Sequence, residues 1–116
     1  SFTDARALGI TPPIRESGDI AGTPGCTLKV GENTYEMKEG VIVAKRHIHL
    51  TSAAAAEFGV ADKEIVKVRV SGTGRTTVFD DVVIRVKDSF APAMHIDTDE
   101  CNAAAAFGTV EGEIIR

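Results

Sequence analysis

Large aromatic residues are scarce in this sequence. It has no Trp and one Tyr, and its six aromatics in 116 residues are Phe2, Tyr35, Phe58, Phe79, Phe90 and Phe107. A wide core built on big rings is therefore excluded. The 15 Ala and 12 Val suit short helices and closely spaced strands instead. Long apolar runs are also missing, and no stretch approaches the roughly 18 residues that a membrane-spanning helix needs. No basic segment followed by an apolar one opens the chain, so no signal peptide is indicated. It also lacks an initiating Met, and we expect it to be part of a longer polypeptide or a processed product. Positive charge is in deficit, with 13 Lys+Arg against 17 Asp+Glu and a formal net charge of −4, which argues against a nucleic-acid backbone as partner. Cysteine is limited to Cys26 and Cys101, which belong to no CxxC pattern and read as two reduced thiols of a cytoplasmic protein. A 43% hydrophobic and 26% charged composition can still bury a core of single-domain size, so global disorder is excluded.

Three segments share one design: a capping residue, a short Ala-containing stretch, and then Gly where a left-handed residue closes a helix. They are Thr3 to Gly9, Thr51 to Gly59 and Asp97 to Gly108. In the last, Asp97 and Glu100 have the spacing of a capping box. Helices this short do not stand alone and must pack on other structure. Between them the pattern is of strands. Cys26 to Val30 and Thr34 to Met37 read as a hairpin about Gly31, Glu32 and Asn33, followed by strands over Val41 to Leu50, Glu64 to Val70 and Arg75 to Phe79. Asp80 and Asp81 are expected to break the chain before Val82 to Val86. Ala93 to Ile96 and Val110 to Ile115 complete the set, with a bulge expected at Gly112. About eight short strands with three small helices predict a mainly β fold, a β-barrel capped by short α-helices. Thr11 to Pro24, holding three of the four prolines, is expected to be a long surface loop.

The chemistry lies in the three histidines. His47 and His49, in KRHIHL, are two apart, so on a strand both imidazoles face the same side and Ile48 faces the other. His49 precedes the cap Thr51 by two residues, and His95 precedes the cap Asp97 by two. Each thus stands where a strand hands over to an Ala-rich helix, and if these units pack as a pair the three rings meet. Three imidazoles with an open fourth position suit a catalytic zinc. The alternative is a set of hydrogen-bonded histidines at strand ends. Cys101 is a conceivable fourth ligand, about a helical turn from the strand end. Lys45 shares the histidine face of a regular strand and could meet an anion, or stay solvated. Arg46 points the other way and fits a surface or cross-strand ion pair.

Several longer stretches carry a resemblance. GVIVAKRHIHLT, then KEIVKVRVSGTGRTTVFDDVVIRVKDSFAPAMHIDTDECNAA, closely resembles the C-terminal half of PduL-type phosphotransacylases, the phosphate propanoyltransferases of bacterial microcompartments. TDARALGITPPIRESGDIAGTPG is similar to the central segment of the same family. The resemblance implies half of a two-barrel protein: a short helix at 3–9, a long loop at 11–25, and barrel strands with two capping helices at 26–116. It implies two zinc ions and reversible acyl transfer between coenzyme A and phosphate, with acyl-CoA and phosphate as substrates. His47, His49 and His95 match the family's three-histidine zinc site, and Asn102 matches a position that lies against coenzyme A. No other catalytic residue is implied in this chain. A second HxH segment, its Glu and an Arg for phosphate belong to an N-terminal half that this sequence does not contain. That missing half is therefore an expected partner, together with further copies in a homo-oligomer. A location in the cytoplasm or inside a microcompartment follows, with no nucleic acid and no membrane as partner. A different reading comes from ADKEIVKVRVSG, which also looks like the strand-turn unit of double-psi barrels, many of which only bind partners. Metal-dependent thioester hydrolysis at the same histidines is a third.

Overall fold

In the computed structural model, which describes residues 1–108 and 110–115, the chain forms two compact units, Ser1–Lys45 and Arg46–Arg116. In the first, helix α1 (Phe2–Ala7) is capped by Ser1, whose hydroxyl accepts the Asp4 N–H. The expected cap was Thr3; Ser1 serves instead because its Oγ can also bond the Asp4 carboxylate at the third helical position. Strands β2 (Cys26–Val30) and β3 (Asn33–Met37) pair as the expected antiparallel hairpin, in a register with Leu28 opposite Tyr35. Gly25, just before β2, comes so close to β3 that a Cβ there would lie 1.8 Å from the Met37 carbonyl oxygen, so only glycine fits. The segment expected to be a bare loop contributes a short strand, β1 (Ile14–Arg15), parallel to β4 (Val43–Ala44). Its prolines lack donors, yet Arg15 C=O still accepts the Lys45 N–H, so pairing survives between them.

The second unit holds strands β5 (His47–Leu50), β6 (Ile65–Ser71), β7 (Thr77–Val86), β8 (Ala93–His95) and β9 (Glu111–Ile115), with helices α2 (Ser52–Phe58) and α3 (Thr98–Ala104). The five strands form one sheet in the order β8-β5-β7-β6-β9, a curled half-barrel, and the fold is mainly β with short helices, as expected. The continuous strand expected over Val41 to Leu50 is instead two, β4 and β5, interrupted at Lys45 and Arg46. Strand β7 runs parallel to β5 and antiparallel to β6 in the middle of the sheet. Its Val82, Val83 and Ile84 are consecutively buried, with Val82 and Ile84 in the core. One face of the sheet carries the core, with Ile48, Leu50, Val66, Val68, Val70 and Ile84 packed against Ala55 of α2 and Ala104 of α3.

The two aspartates do not end β7. They form a bulge in which Asp80 and Asp81 together oppose Lys67, since Val82 pairs with Val66 and Phe79 with Val68. Asp81 takes a left-handed φ of 54°, and its N–H is held by Asp80 Oδ1 at 2.7 Å. Gly112, where a bulge was expected, instead pairs in regular register with Val70 in the β6–β9 ladder. The first two helices close with the expected left-handed glycine, Gly9 and Gly59, while the third closes early. Helix α3 was expected to reach Gly108, but the chain turns at Ala105, with φ 50°. The Ala106 N–H then bonds Cys101 C=O at 2.9 Å, and Thr73 Oγ1 donates to Ala104 C=O at 2.7 Å. Those bonds satisfy terminal carbonyls before the glycine is reached.

Candidate metal centre

Strand β5 alternates buried and half-buried residues, so Ile48 and Leu50 enter the core while His47 and His49 share the opposite face. Strand β8 lies antiparallel beside it in a register that sets His95 directly across from His47. Although 46 residues separate His49 from His95 in the sequence, the three rings converge, with centroids 4.8 Å apart for His47–His49 and His47–His95 and 4.4 Å for His49–His95. One ring nitrogen from each lies within 4.8 Å of the others, a cluster able to hold a single metal ion. Cys101, the conceivable fourth ligand, is not in this cluster; its thiol is free and half-buried on α3.

The turn after β7 packs against the cluster. Lys87 N–H bonds Leu50 C=O at 3.0 Å, Asp88 Oδ1 accepts the Ser52 N–H at 3.0 Å, and Phe90 N–H returns to Lys87 C=O at 2.9 Å. The turn is thus pinned to the end of β5 and the start of α2, and it sets the Phe90 ring on the His49 ring, 4.0 Å between centroids and 14° from parallel. The bonds from Ser52 hold the Asp88 carboxyl below its usual range. Arg85 of β7 is the register partner of His49, and its guanidinium lies 5.9 Å from the Phe90 ring centroid.

Electrostatics favour neutral imidazoles here. His49 is held below the ordinary histidine value, first by burial and then by the charges of His95, His47 and Arg85. His95 is lowered too, by desolvation of its ring and then by His47 and Arg85. Neutral imidazole is the ligand form for a metal. The Nε2 of His49 is buried and has no hydrogen-bond partner. A buried nitrogen left so costs about 1–3 kcal/mol, and a metal ion removes that deficit. Three nitrogen donors without a carboxylate are the donor set of an open zinc site. The residues present therefore fit the metal.

Of the other expected site residues, Asn102 is exposed on α3, the helix that follows His95. Lys45 is exposed and lies before the interruption between β4 and β5, so the alternation that would set it on the histidine face does not run through to His47. Arg46 does form the expected ion pair, with Glu100 of the capping box on α3, and it also donates to Asp80 C=O at 2.6 Å. Phe90 and Arg85 were not singled out from the sequence. Arg85 alternates with buried Ile84 along β7, a usable signal, but its place opposite His49 depends on a parallel pairing that local pattern does not reveal.

These features define a class: a mainly β half-barrel that displays three histidines together on its sheet. A model of the phosphate propanoyltransferase family matches residues 1–107, and the chain belongs to that family. It is 52% identical over its whole length to a phosphate propanoyltransferase of Listeria monocytogenes and covers 54% of that protein. Over 105 residues, 90% of the chain, it is 54% identical to one from Thermotoga maritima, covering 50% of it. A third, from Clostridioides difficile, is 50% identical over 116 residues, with 55% covered. The chain thus spans about half the length of these relatives. No helix among the described residues is long and apolar enough to cross a membrane.

Proposed function

We propose that this chain is the C-terminal half of a zinc-dependent phosphate acyltransferase, which moves an acyl group of the propanoyl type reversibly between coenzyme A and phosphate. The observation that carries the reading is the convergence of His47, His49 and His95, with the Nε2 of His49 buried and unpartnered, in a chain of the phosphate propanoyltransferase family. The other half, about as long again in the relatives, completes the active site.

In this reading the three imidazoles hold zinc, which supplies a Lewis acid for the thioester carbonyl, the phosphate or the departing thiolate. A phosphate oxygen attacks the thioester carbon, the carbon–sulfur bond breaks, and acyl phosphate and coenzyme A result. Phosphate is itself the nucleophile, so positioning is the protein's main task and no Ser or Cys is required. His49 is oriented by Phe90, and His47 and His95 hold each other across the β5–β8 ladder. Asn102, exposed on the helix after His95, contacts coenzyme A, and Lys45 binds an anion.

The test uses the full-length protein, with zinc measured by elemental analysis and the release of coenzyme A from propanoyl-CoA followed with and without phosphate. Replacing His47, His49 or His95 by Ala removes one equivalent of zinc and lowers phosphate-dependent turnover by at least about 100-fold. Full zinc occupancy and full activity in all three variants would sink the assignment. Release of coenzyme A at the same rate without phosphate would identify a hydrolase instead.

A further inference from the structure

Arg85 stands out among the charged side chains of the second unit. Arg46 is paired with Glu100, Lys67 approaches Asp80 at 4.0 Å, and Lys63, Arg69, Arg75 and Lys87 are exposed to solvent. Half-buried Arg85 has no acidic partner among the described residues. The carboxylates nearest the site in sequence are engaged elsewhere: Asp88 on the Ser52 N–H, Asp97 on the Glu100 N–H, and Glu100 on Arg46. As the register partner of His49, Arg85 shares its sheet face, and its guanidinium is steadied against the Phe90 ring that also covers His49.

A guanidinium beside three metal-ligating imidazoles is unfavourable for a cation and serves no pairing within this unit. An anion seated between the positive groups makes the arrangement favourable. Arginine offers a planar fork of donors that matches two oxygens of one phosphate group, and such charge-assisted pairs are among the stronger hydrogen bonds. We propose that Arg85 is an oxyanion-binding residue of this site, taking a phosphate group beside the three histidines. The proposal deepens the acyltransferase reading and rests on it for the identity of the ligand. The phosphate group is inorganic phosphate or one of those of coenzyme A, which share the same chemistry.

Calorimetric titration of the zinc-loaded full-length protein with inorganic phosphate alone, and with coenzyme A alone, tests this without turnover. In Arg85→Gln the affinity for one of the two falls roughly 10- to 100-fold while zinc content is unchanged. The ligand that weakens identifies which phosphate Arg85 holds, and the matching KM rises in parallel while kcat changes less. Arg85→Lys, which keeps the charge and loses the fork, falls between the two and decides the matter should the Gln variant lose zinc or structure. Both ligands binding within twofold of wild type in a zinc-retaining variant, or neither binding the wild type, overturns the proposal. Wild-type protein that binds phosphate through Arg85 but transfers no acyl group would instead refute the acyltransferase reading and leave this one standing.

Discussion

Phe90 lies flat on His49, their ring centroids 4.0 Å apart and their planes 14° from parallel. Because the turn that carries Phe90 is tied to Leu50 and Ser52, this ring is a fixed wall and not a passing contact. It limits the rotation of the His49 imidazole and keeps water from its face, so a ring able to ligate a metal is held in one orientation. In Phe90→Leu that restraint is lost while an apolar side chain remains. Outer-shell partners of metal ligands typically contribute 10- to 100-fold in affinity, and a packing contact belongs at the low end. We expect zinc affinity, measured by competition with a chelator, to fall about tenfold in Phe90→Leu and to be largely restored in Phe90→Tyr. The visible spectrum of the cobalt-substituted protein should broaden in the Leu variant only. Equal affinities in all three proteins would show that Phe90 does not position the ligand.

The histidine cluster also sets a pH dependence. His49 and His95 titrate below the ordinary histidine value, so in the metal-free protein folding favours their neutral forms. Between that lowered value and about 6.5, the unfolded chain binds more protons than the folded one, and stability falls as pH falls. Above about 6.5 this contribution is fully present. Asp88 has the opposite dependence on charge, but its lowered value confines its effect to pH below the usual carboxylate range, near 4, so the two do not overlap. Melting temperatures of the chelator-treated protein are expected to be flat from pH 8 to 7 and to drop from pH 6.5 to 5. The drop should shrink in His49→Gln, which removes one titrating ring. A profile unchanged by that substitution would place the pH dependence elsewhere.

Local chemistry was readable where it depends on neighbours in sequence. The two-residue spacing of His47 and His49 gave their shared face, and Asp97 with Glu100 gave the capping box that the structure forms. Even His95 was readable, because its place before a helix cap mirrors that of His49. What stayed hidden depends on distant pairing. Strand β7 lies beside β5 in parallel although β6 intervenes in sequence, so nothing nearby marks Arg85 as the neighbour of His49. Phe90 sits in an irregular turn whose course is set by two bonds to remote backbone. The bulge at Asp80 and Asp81 looks like a strand end in the sequence because a two-against-one pairing and a chain break favour the same residues.

Ala105 shows how a helix can end without its glycine. The three helices close alike: Ile10 N–H bonds Ala5 C=O, Val60 N–H bonds Ala55 C=O and Ala106 N–H bonds Cys101 C=O, each at 2.9 Å. The left-handed residue inside that closure is Gly9 and Gly59 in the first two, with φ of 71° and 69°, and Ala105 in the third, with φ of 50°. A Cβ in this region costs about 1–2 kcal/mol, part of which the greater freedom of glycine in the unfolded chain offsets. Ala105→Gly is expected to stabilise the protein by about 0.5–1 kcal/mol, and Gly59→Ala to destabilise it by about 1 kcal/mol. Urea unfolding of the two variants checks both signs. A destabilised Ala105→Gly would mean that the methyl group contributes packing that outweighs the strain.

Glu100 does two things at once. Its Oε1 accepts the Asp97 N–H in the capping box of α3, and its Oε2 meets Arg46 just before β5. Arg46 in turn donates to the Asp80 carbonyl in the bulge and lies 5.2 Å from the Phe79 ring centroid. The start of the histidine strand, the bulge of β7 and the first turn of the helix after His95 therefore share one cation. A solvent-exposed ion pair is worth about 0–1 kcal/mol, but here the glutamate side chain is only 16% exposed and the arginine has a second acceptor. Glu100→Gln keeps a capping acceptor and loses the charge; Arg46→Met keeps the stem and loses every donor. A double-mutant cycle on unfolding free energy is expected to give a coupling of about 1–2 kcal/mol between them. Coupling near zero would reduce the pair to a surface contact, and the alignment of β5 with α3 would then rest on the β5–β8 ladder alone.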